Sequence, residues 1–418
     1  MTQELPVILS APLKIAVIGA GNRSRTYMHY VKAHPEKVRL VAVIEPDDVR
    51  RNLLADEFGI PDEMRFSSCE DFFDKPRMID AVVICTPDIY HYRQSMMALD
   101  AGYHVLLEKP IATTYAECLE IARKAEEKHL QVSICHVLRV HPLFRQIKKI
   151  IDSGKYGEII SISHIEEVGI DRDTHSYVRG TMNRENDNSP MLLAKCCHDL
   201  DFLLWISSAH CRRVSSFGSL RWFRKKNAPP GSSTRCINCD IEEKCPFSAV
   251  DLYKRRRDWI GNFIPAPGET VDDVIDRELK EGRFGRCVYH CDNDLVDNQV
   301  VTMQMDNGTI ISLTINVFTQ NDCRNISIKL TDGEITCDGE RIQARHFRSR
   351  ETSTYDMSYL RKIPHHGGAD MAMIENFIDS LIDPDVKPVS PLSAAIESHL
   401  VIFEAERSRK LTRTIELI

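Results

Sequence analysis

Between residues 14 and 135 the chain alternates short apolar runs with stretches of helical spacing. The apolar runs fall at residues 14–18, 38–44, 79–85, 105–107 and 131–135. Runs this short and this continuously apolar are expected of strands buried on both faces, as in a parallel sheet covered by helices. The intervening stretches, residues 22–33, 47–58, 90–101 and 114–129, read as the covering helices. Thr114 stands three residues before Glu117, the spacing of a capping box. Beyond residue 136 the pattern changes. A helix is expected over 144–151, then a long, partly alternating strand over 158–168 with Ile160 and Ile162 on one apolar face. Asp306-Asn307-Gly308 between residues 300–305 and 309–317 is a hairpin signal, and Asp332-Gly333 between 324–330 and 334–337 is another. The fold class predicted is α/β: a doubly wound N-terminal domain, then an α+β C-terminal domain with a large, mostly antiparallel open sheet. The expected divisions are a tail over residues 1–12, the parallel domain over 13–136, and a second domain over 137–418 for substrate and oligomerisation. A cysteine-containing insertion is expected at about 222–292 within the second domain.

The first strand runs into Gly19-Ala20-Gly21-Asn22-Arg23-Ser24, and the second ends at Glu45. The first glycine permits a tight turn and the second lets the backbone approach a pyrophosphate at a helix N-terminus. Ser24 occupies the third position of this Rossmann fingerprint, small enough for close helix–strand packing. Glu45, 24 residues after Gly21, is placed to accept hydrogen bonds from the adenosine ribose and to repel a phosphate there. NAD is therefore favoured over NADP, with Arg50 and Arg51 close by as a counterweight. The strand over 105–107 stops on Glu108-Lys109-Pro110. In an open parallel sheet that edge borders the ligand crevice, so Lys109 is a candidate proton-transfer group.

Bulk composition narrows the classes. The chain has 418 residues, 43% hydrophobic and 28% charged, which suits two soluble domains. A formal net charge of -7 argues against a nucleic-acid partner. No apolar run approaches the roughly 18 residues of a membrane span, and no signal peptide is read at the N-terminus. Fourteen cysteines, some inside apolar runs, point to reduced thiols in a cytoplasm.

The glycine loop, Thr86-Pro87-x-x-x-His91 and Glu108-Lys109-Pro110, in this order, resemble the Gfo/Idh/MocA oxidoreductases. The similarity continues through residues 138–159, around His198 and at His366-Gly367-Gly368. The resemblance implies an NAD(P)-dependent enzyme acting on the CH–OH group of a sugar, a cyclitol or a derivative. It implies Lys109 beside the nicotinamide and a catalytic partner at His198. Gly19, Gly21, Asn22, Arg23, Ser24, Glu45, Thr86, Pro87, His91, Glu108 and Lys109 are the cofactor-binding candidates. It also implies a C-terminal sheet whose free face pairs subunits into a homo-oligomer. Family members often carry an acid four residues before the histidine, where this chain has Ala194. Lys109 and His198 then suffice, or Lys195 or Asp199 supplies the missing function. Two alternatives stand beside net dehydrogenation. One is NAD-dependent glycoside cleavage through transient oxidation of the sugar. The other is a non-catalytic nucleotide-binding sensor.

The second half adds substrate candidates and a cysteine cluster. Residues 171–180 are polar and irregular in pattern, and His175, Tyr177, Arg179 and Arg184 are candidates for a polyhydroxy substrate, with Lys195 and Asp199 on the following helix. Cys236-x-x-Cys239, Cys245 and Cys287 fit a structural zinc, or less readily an iron–sulfur cluster. His365-His366-Gly367-Gly368 is expected to be a ligand-facing turn, with Asp370 capping the helix that follows.

Overall fold

A computed structural model describes residues 9–266 and 268–417. Most of the tail expected over 1–12 therefore lies outside the described residues. The chain gathers into two compact units. The first takes in the chain up to Gly154 together with Cys197–Ile206 and Asp356–Phe403; the second comprises Lys155–Cys196, Ser207–Tyr355 and the chain from Glu404 on.

The first unit is built on a six-stranded parallel sheet. Its strands are β1 (Leu13–Ile18), β2 (Val38–Ile44), β3 (Arg65–Phe66), β4 (Ala81–Ile84), β5 (His104–Leu107) and β6 (Val132–Ile134), in the order β3-β2-β1-β4-β5-β6. The order reverses beside β1, and in open parallel sheets ligands bind at the carboxyl ends of the strands that flank such a reversal, here β1 and β4. Helix α1 (Asn22–Ala33) follows β1, and α2 (Tyr115–Glu127) follows β5. The capping box expected at Thr114 and Glu117 is present with both its hydrogen bonds. Apolar side chains pack on both faces of the sheet. On one face lie Val17, Val83 and Leu106 with Phe377 and Ile378; on the other lie Ile18, Ile84 and Leu107 with Ile121.

The second unit is a nine-stranded sheet. Its strands are β7 (Ile159–Glu167), β8 (Cys211–Ser219), β9 (Asn298–Met305), β10 (Ile310–Asn316), β11 (Cys323–Leu330), β12 (Gly333–Cys337), β13 (Arg341–His346), β14 (Thr352–Asp356) and β15 (Ile415–Glu416). The order is β14-β13-β12-β11-β7-β10-β9-β8-β15. Both expected hairpins form, β9–β10 and β11–β12. One pairing departs from the antiparallel pattern: β10 runs parallel to β7, because β7 comes from an earlier part of the chain and inserts between β11 and β10. Strands β8 and β15 complete one edge, and the hydrophobic pattern did not announce either.

The registers give the sheet two distinct faces. Ile162, Ile311, Leu313, Val301, Met303, Ile326 and Ile328 are buried on one face. Ser163, Ser312, Thr302, Thr314 and Ser327 lie on the other, with Ile310 and Phe217 exposed among them. Ile160 shares the buried face by spacing but is exposed at the strand start. Farther along β7, His164 and Glu166 are fully buried on that face. Among the described residues no helix is long and apolar enough to cross a membrane.

Candidate active site

The first unit brings the glycine loop, the Glu108-Lys109-Pro110 turn and His198 into one body. Gly19 has φ +91°, and a Cβ there would stand 2.8 Å from the Cys85 carbonyl oxygen, so only glycine makes this turn without displacing β4. A Cβ at Gly21 would meet nothing within 4 Å, leaving open space beside the N-terminus of α1. No side chain caps that terminus and its first turn carries no acid, a setting suited to a pyrophosphate. Ser24 is fully buried and donates to the Gly21 carbonyl at 2.8 Å. Its part is therefore to tighten the turn, and the expected contact with cofactor is not available to its side chain.

Glu45 ends β2. Its carboxylate accepts from the Ala20 amide at 2.7 Å and from the Asp47 amide at 3.0 Å, which fixes it against the loop. An ionised carboxylate offers about four lone-pair sites, so acceptor capacity remains for hydroxyl groups. The Arg51 guanidinium, the neighbouring cation weighed for a ribose phosphate, bonds to the Glu45 carbonyl at 2.6 Å and to Asp48.

Two of the expected cofactor contacts turn out to be braces. His91 is fully buried, with its ring nitrogens 2.6 Å from the Pro110 carbonyl and 2.9 Å from the Thr86 carbonyl. It ties the Thr86-Pro87 turn to the Glu108-Lys109-Pro110 turn and has no surface for a ligand. Arg23 is held by Glu108 at 2.7 Å, Tyr27 at 2.6 Å and Asp370 at 2.8 Å. Burial works against ionisation of Glu108, but Arg23 and the Tyr27 hydroxyl outweigh it and hold the carboxyl below its usual range. Asn22 is exposed at the start of α1, Thr86 is half-buried and donates to Gln94 at 2.5 Å, and Pro87 is exposed. Asp370 is not the cap expected of it. Helix α4 (Ala369–Ile382) begins after Gly368, whose φ of +87° makes it the N-cap, and Asp370 spends its carboxylate on Arg23 and on His366 at 2.8 Å.

Lys109 leaves the end of β5 half-buried. Its charge acts on Cys197 and on His399. Cys197 and His198 belong to helix α3 (Met191–Ser207), which falls across the division between the units. The His198 ring stands edge-on to His136, with centroids 6.0 Å apart, and His136 in turn stacks on His399 at 5.9 Å. His136 Nδ1 lies 3.1 Å from Asp201, which Arg139 grips at 2.7 and 2.9 Å. Burial alone would raise Asp201; His136 and Arg139 prevail and hold it at about 2. His399 sits in helix α5 (Leu392–Leu411), receives the Ile111 amide at Nε2 (3.0 Å) and donates from Nδ1 to the Ala395 carbonyl (2.8 Å). That fixes a neutral tautomer, and burial followed by the charge of His136 takes its pKa down to about 3.

His136, Arg139 and His399 were not singled out in the sequence. His136 follows the end of β6, the same kind of strand edge that marked Lys109, and that signal was legible. His399 lies mid-helix and carried none.

The second unit redirects several substrate candidates. Residues expected to form an irregular loop are helical, Ile170–Arg172 and Asp173–Arg179, and their polar side chains point inward. Arg179 is fully buried and donates to the carbonyls of Arg286 (2.8 Å) and Phe247. His175 is bonded to the Tyr253 hydroxyl at 2.8 Å and stacks on Trp259 and Phe284. Tyr177 is 6% exposed. His175 and Arg179 pack into the insertion, and all three are buried, so they do not offer open substrate contacts. Lys195 lies 2.5 Å from the buried Glu166 and 3.4 Å from Asp322, which pair its ammonium within the second unit. Arg184 remains half-buried beside Asp187. Asp199, in the first unit, is fully buried. Cys236, Cys239, Cys245 and Cys287 line a single small cavity.

Residues 13–136 match the oxidoreductase family with an NAD-binding Rossmann fold, Gfo/Idh/MocA. An inositol 2-dehydrogenase of Corynebacterium glutamicum is 26% identical over 205 residues, 48% of this chain and 56% of that protein. The chain thus spans about half the length of this relative. Two solved structures share the fold over nearly the whole chain. An Agrobacterium radiobacter oxidoreductase in complex with NAD+, L-tartaric acid and magnesium aligns with TM-score 0.71 at 16% identity, covering 97% of this chain and 98% of that one. The WlbA dehydrogenase of Bordetella pertussis, in complex with NADH and UDP-GlcNAcA, aligns with TM-score 0.67 at 16% identity, covering 97% and 99%. The resemblance read from the motifs is borne out over residues 13–136, which match the NAD-binding Rossmann fold of the Gfo/Idh/MocA oxidoreductases.

Proposed function

We propose that the chain carries out NAD-dependent oxidoreduction at a hydroxyl-bearing carbon of a sugar, a cyclitol or a derivative. The observation that carries this reading is Lys109 at the carboxyl end of β5, in the same unit as the glycine loop and the His136–His198–His399 group. When bound, the nicotinamide accepts or returns the hydride. The residues of this chain do the rest. The N-terminus of α1 holds the pyrophosphate, and Glu45 receives the ribose hydroxyls. Arg51, already engaged, leaves little to attract a ribose phosphate, which favours NAD over NADP. Lys109 takes the hydroxyl proton as hydride leaves, and His198 orients that hydroxyl. Asp201 and Arg139 hold His136, which packs edge-on to His198 and fixes the ring.

The inositol dehydrogenase relative and the nucleotide-sugar and tartrate complexes of the structural neighbours all concern polyhydroxy compounds, which supports the substrate class. Arg184 is the remaining candidate for a substrate contact outside this cluster. The test is reduced-nicotinamide absorbance across a panel of sugars, cyclitols and glycosides. NADH formation with one or more of them is expected. Protein that binds NAD yet neither forms NADH nor cleaves a glycoside would be a sensor, and the enzyme reading would fall.

A further inference from the structure

The cysteine-containing insertion of the second unit holds a buried cation without a counter-charge. Arg179 is fully buried, and its guanidinium meets only carbonyl oxygens and a sulfur: Arg286, Phe247, and Cys236 Sγ at 3.8 Å. Its Nη1 has no hydrogen-bond partner, and no carboxylate pairs with it among the described residues. A buried guanidinium left uncompensated is strongly destabilising, so a native fold is expected to place negative charge beside it.

The charge available there is sulfur. Cys236, Cys239, Cys245 and Cys287 come from segments up to 51 residues apart and line one cavity. An antiparallel bridge between Arg235 and Arg286 brings the first and last of them together, each one residue past the bridge. One of these sulfurs, that of Cys236, already accepts a backbone amide, from Ala249 at 3.4 Å.

We propose that Cys236, Cys239, Cys245 and Cys287 bind one zinc ion as a closed structural site, with Arg179 as its buried counter-ion. Zinc displaces four thiol protons to solvent, and the resulting tetrathiolate carries two negative charges, one of which Arg179 offsets. Among the described residues the four sulfurs do not already stand as a compact donor group, and zinc would draw them together. The site has no open position and no redox part. It fastens the insertion to the helical turns Asp173–Arg179, where the apolar contacts form two small clusters. This assignment is independent of the dehydrogenase reading.

Metal analysis of the full-length protein, purified without chelator or added metal, tests it. About one zinc per chain is expected, together with loss of that zinc in Cys245→Ser. Retention is expected in Cys291→Ser, whose sulfur lies outside the cavity set. Should Cys245→Ser fail to fold, cobalt exchanged into the wild-type protein gives a second reading. The visible bands of a tetrahedral cobalt thiolate are expected, and NAD affinity measured alongside reports whether the first unit is intact. Zinc at trace level with all four thiols reactive would overturn the proposal. So would stoichiometric iron, zinc retained in a folded Cys245→Ser, or cobalt without thiolate bands.

Discussion

The two units solve the same problem, a stable interior, with different chemistry. The first buries Val17, Val83 and Leu106 on one face of a parallel sheet and Ile18, Ile84 and Leu107 on the other, and keeps its buried ion pairs, Arg23 with Glu108 and Asp370 and Arg139 with Asp201, outside the sheet. The second places Glu166 at full burial on the core face of its sheet, between Lys195 (2.5 Å) and Arg324 (3.0 Å), and packs Asp173, His175 and Arg179 into helical turns. Apolar interiors tolerate modest change of shape; buried charges do not tolerate loss of a partner. The first unit is thus the robust frame for a site at its edge, and the second depends on complete sets of partners.

The largest expected effect tests that dependence. Glu166→Ala leaves Lys195 and Arg324 without their shared carboxylate and should lower stability by about 3–5 kcal/mol by denaturant unfolding. Replacing all three residues with apolar side chains of similar volume should recover most of that loss. In the first unit Leu106→Ala should cost roughly 2–5 kcal/mol, from lost apolar burial and the cavity left behind, with no recovery by changing a charge elsewhere. If Glu166→Ala proved as mild as a surface substitution, the contrast between the units would disappear.

Protonation gives an effect of intermediate size. Asp173 is buried, its Oδ2 has no hydrogen-bond partner, and burial followed by the charge of Asp297 pushes its pKa up to about 8. The folded value exceeds the unfolded one, so Asp173 binds its proton more tightly when folded. Its contribution is complete below the unfolded pKa and is lost as pH rises to about 8. Asp173→Asn removes this dependence. Relative to wild type it should gain stability as pH rises from about 4 to about 8 and level off above, measured by denaturant unfolding at a series of pH values. His399 in the first unit moves the other way. Its folded pKa is depressed to about 3, so its contribution is full above the unfolded histidine pKa and is lost as pH falls. Hydrogen exchange in residues 392–411 should therefore quicken as pH drops below about 6.5, once corrected for intrinsic rates. The smallest effect is local: Thr114→Ala breaks the capping box of α2 and should cost about 1 kcal/mol in thermal unfolding.

The units also differ in how far the sequence discloses them. Strands β1, β2, β4, β5 and β6 were legible because burial on both faces writes an uninterrupted apolar run. The hairpins at Asn307-Gly308 and Asp332-Gly333 were legible because their turns need those residues. The parallel pairing of β10 with β7 was not, since register between distant strands leaves no mark in either. The helical turns Asp173–Arg179 were read as an open loop because polar residues ordinarily face water; here His175 and Arg179 find Tyr253 and the Phe247 carbonyl more than 65 residues away. At the site, Gly19, Glu45 and Lys109 stood out because motif spacing encodes position along a strand–turn–helix. Ser24, His91 and Arg23 matched the motif equally well, yet their side chains face inward or brace the turns. His399 stayed hidden because its partner, the Ile111 amide, lies 288 residues earlier.

In the proposed reaction Lys109 moves the proton while the loop at Gly19 and Gly21 holds the cofactor. Lys109→Ala tests it directly, by turnover and NAD affinity on one preparation with a sugar that the wild type oxidises. Turnover should fall by roughly 10²–10⁴-fold while NAD affinity stays within about tenfold. Undiminished turnover in that variant would contradict the role assigned to Lys109.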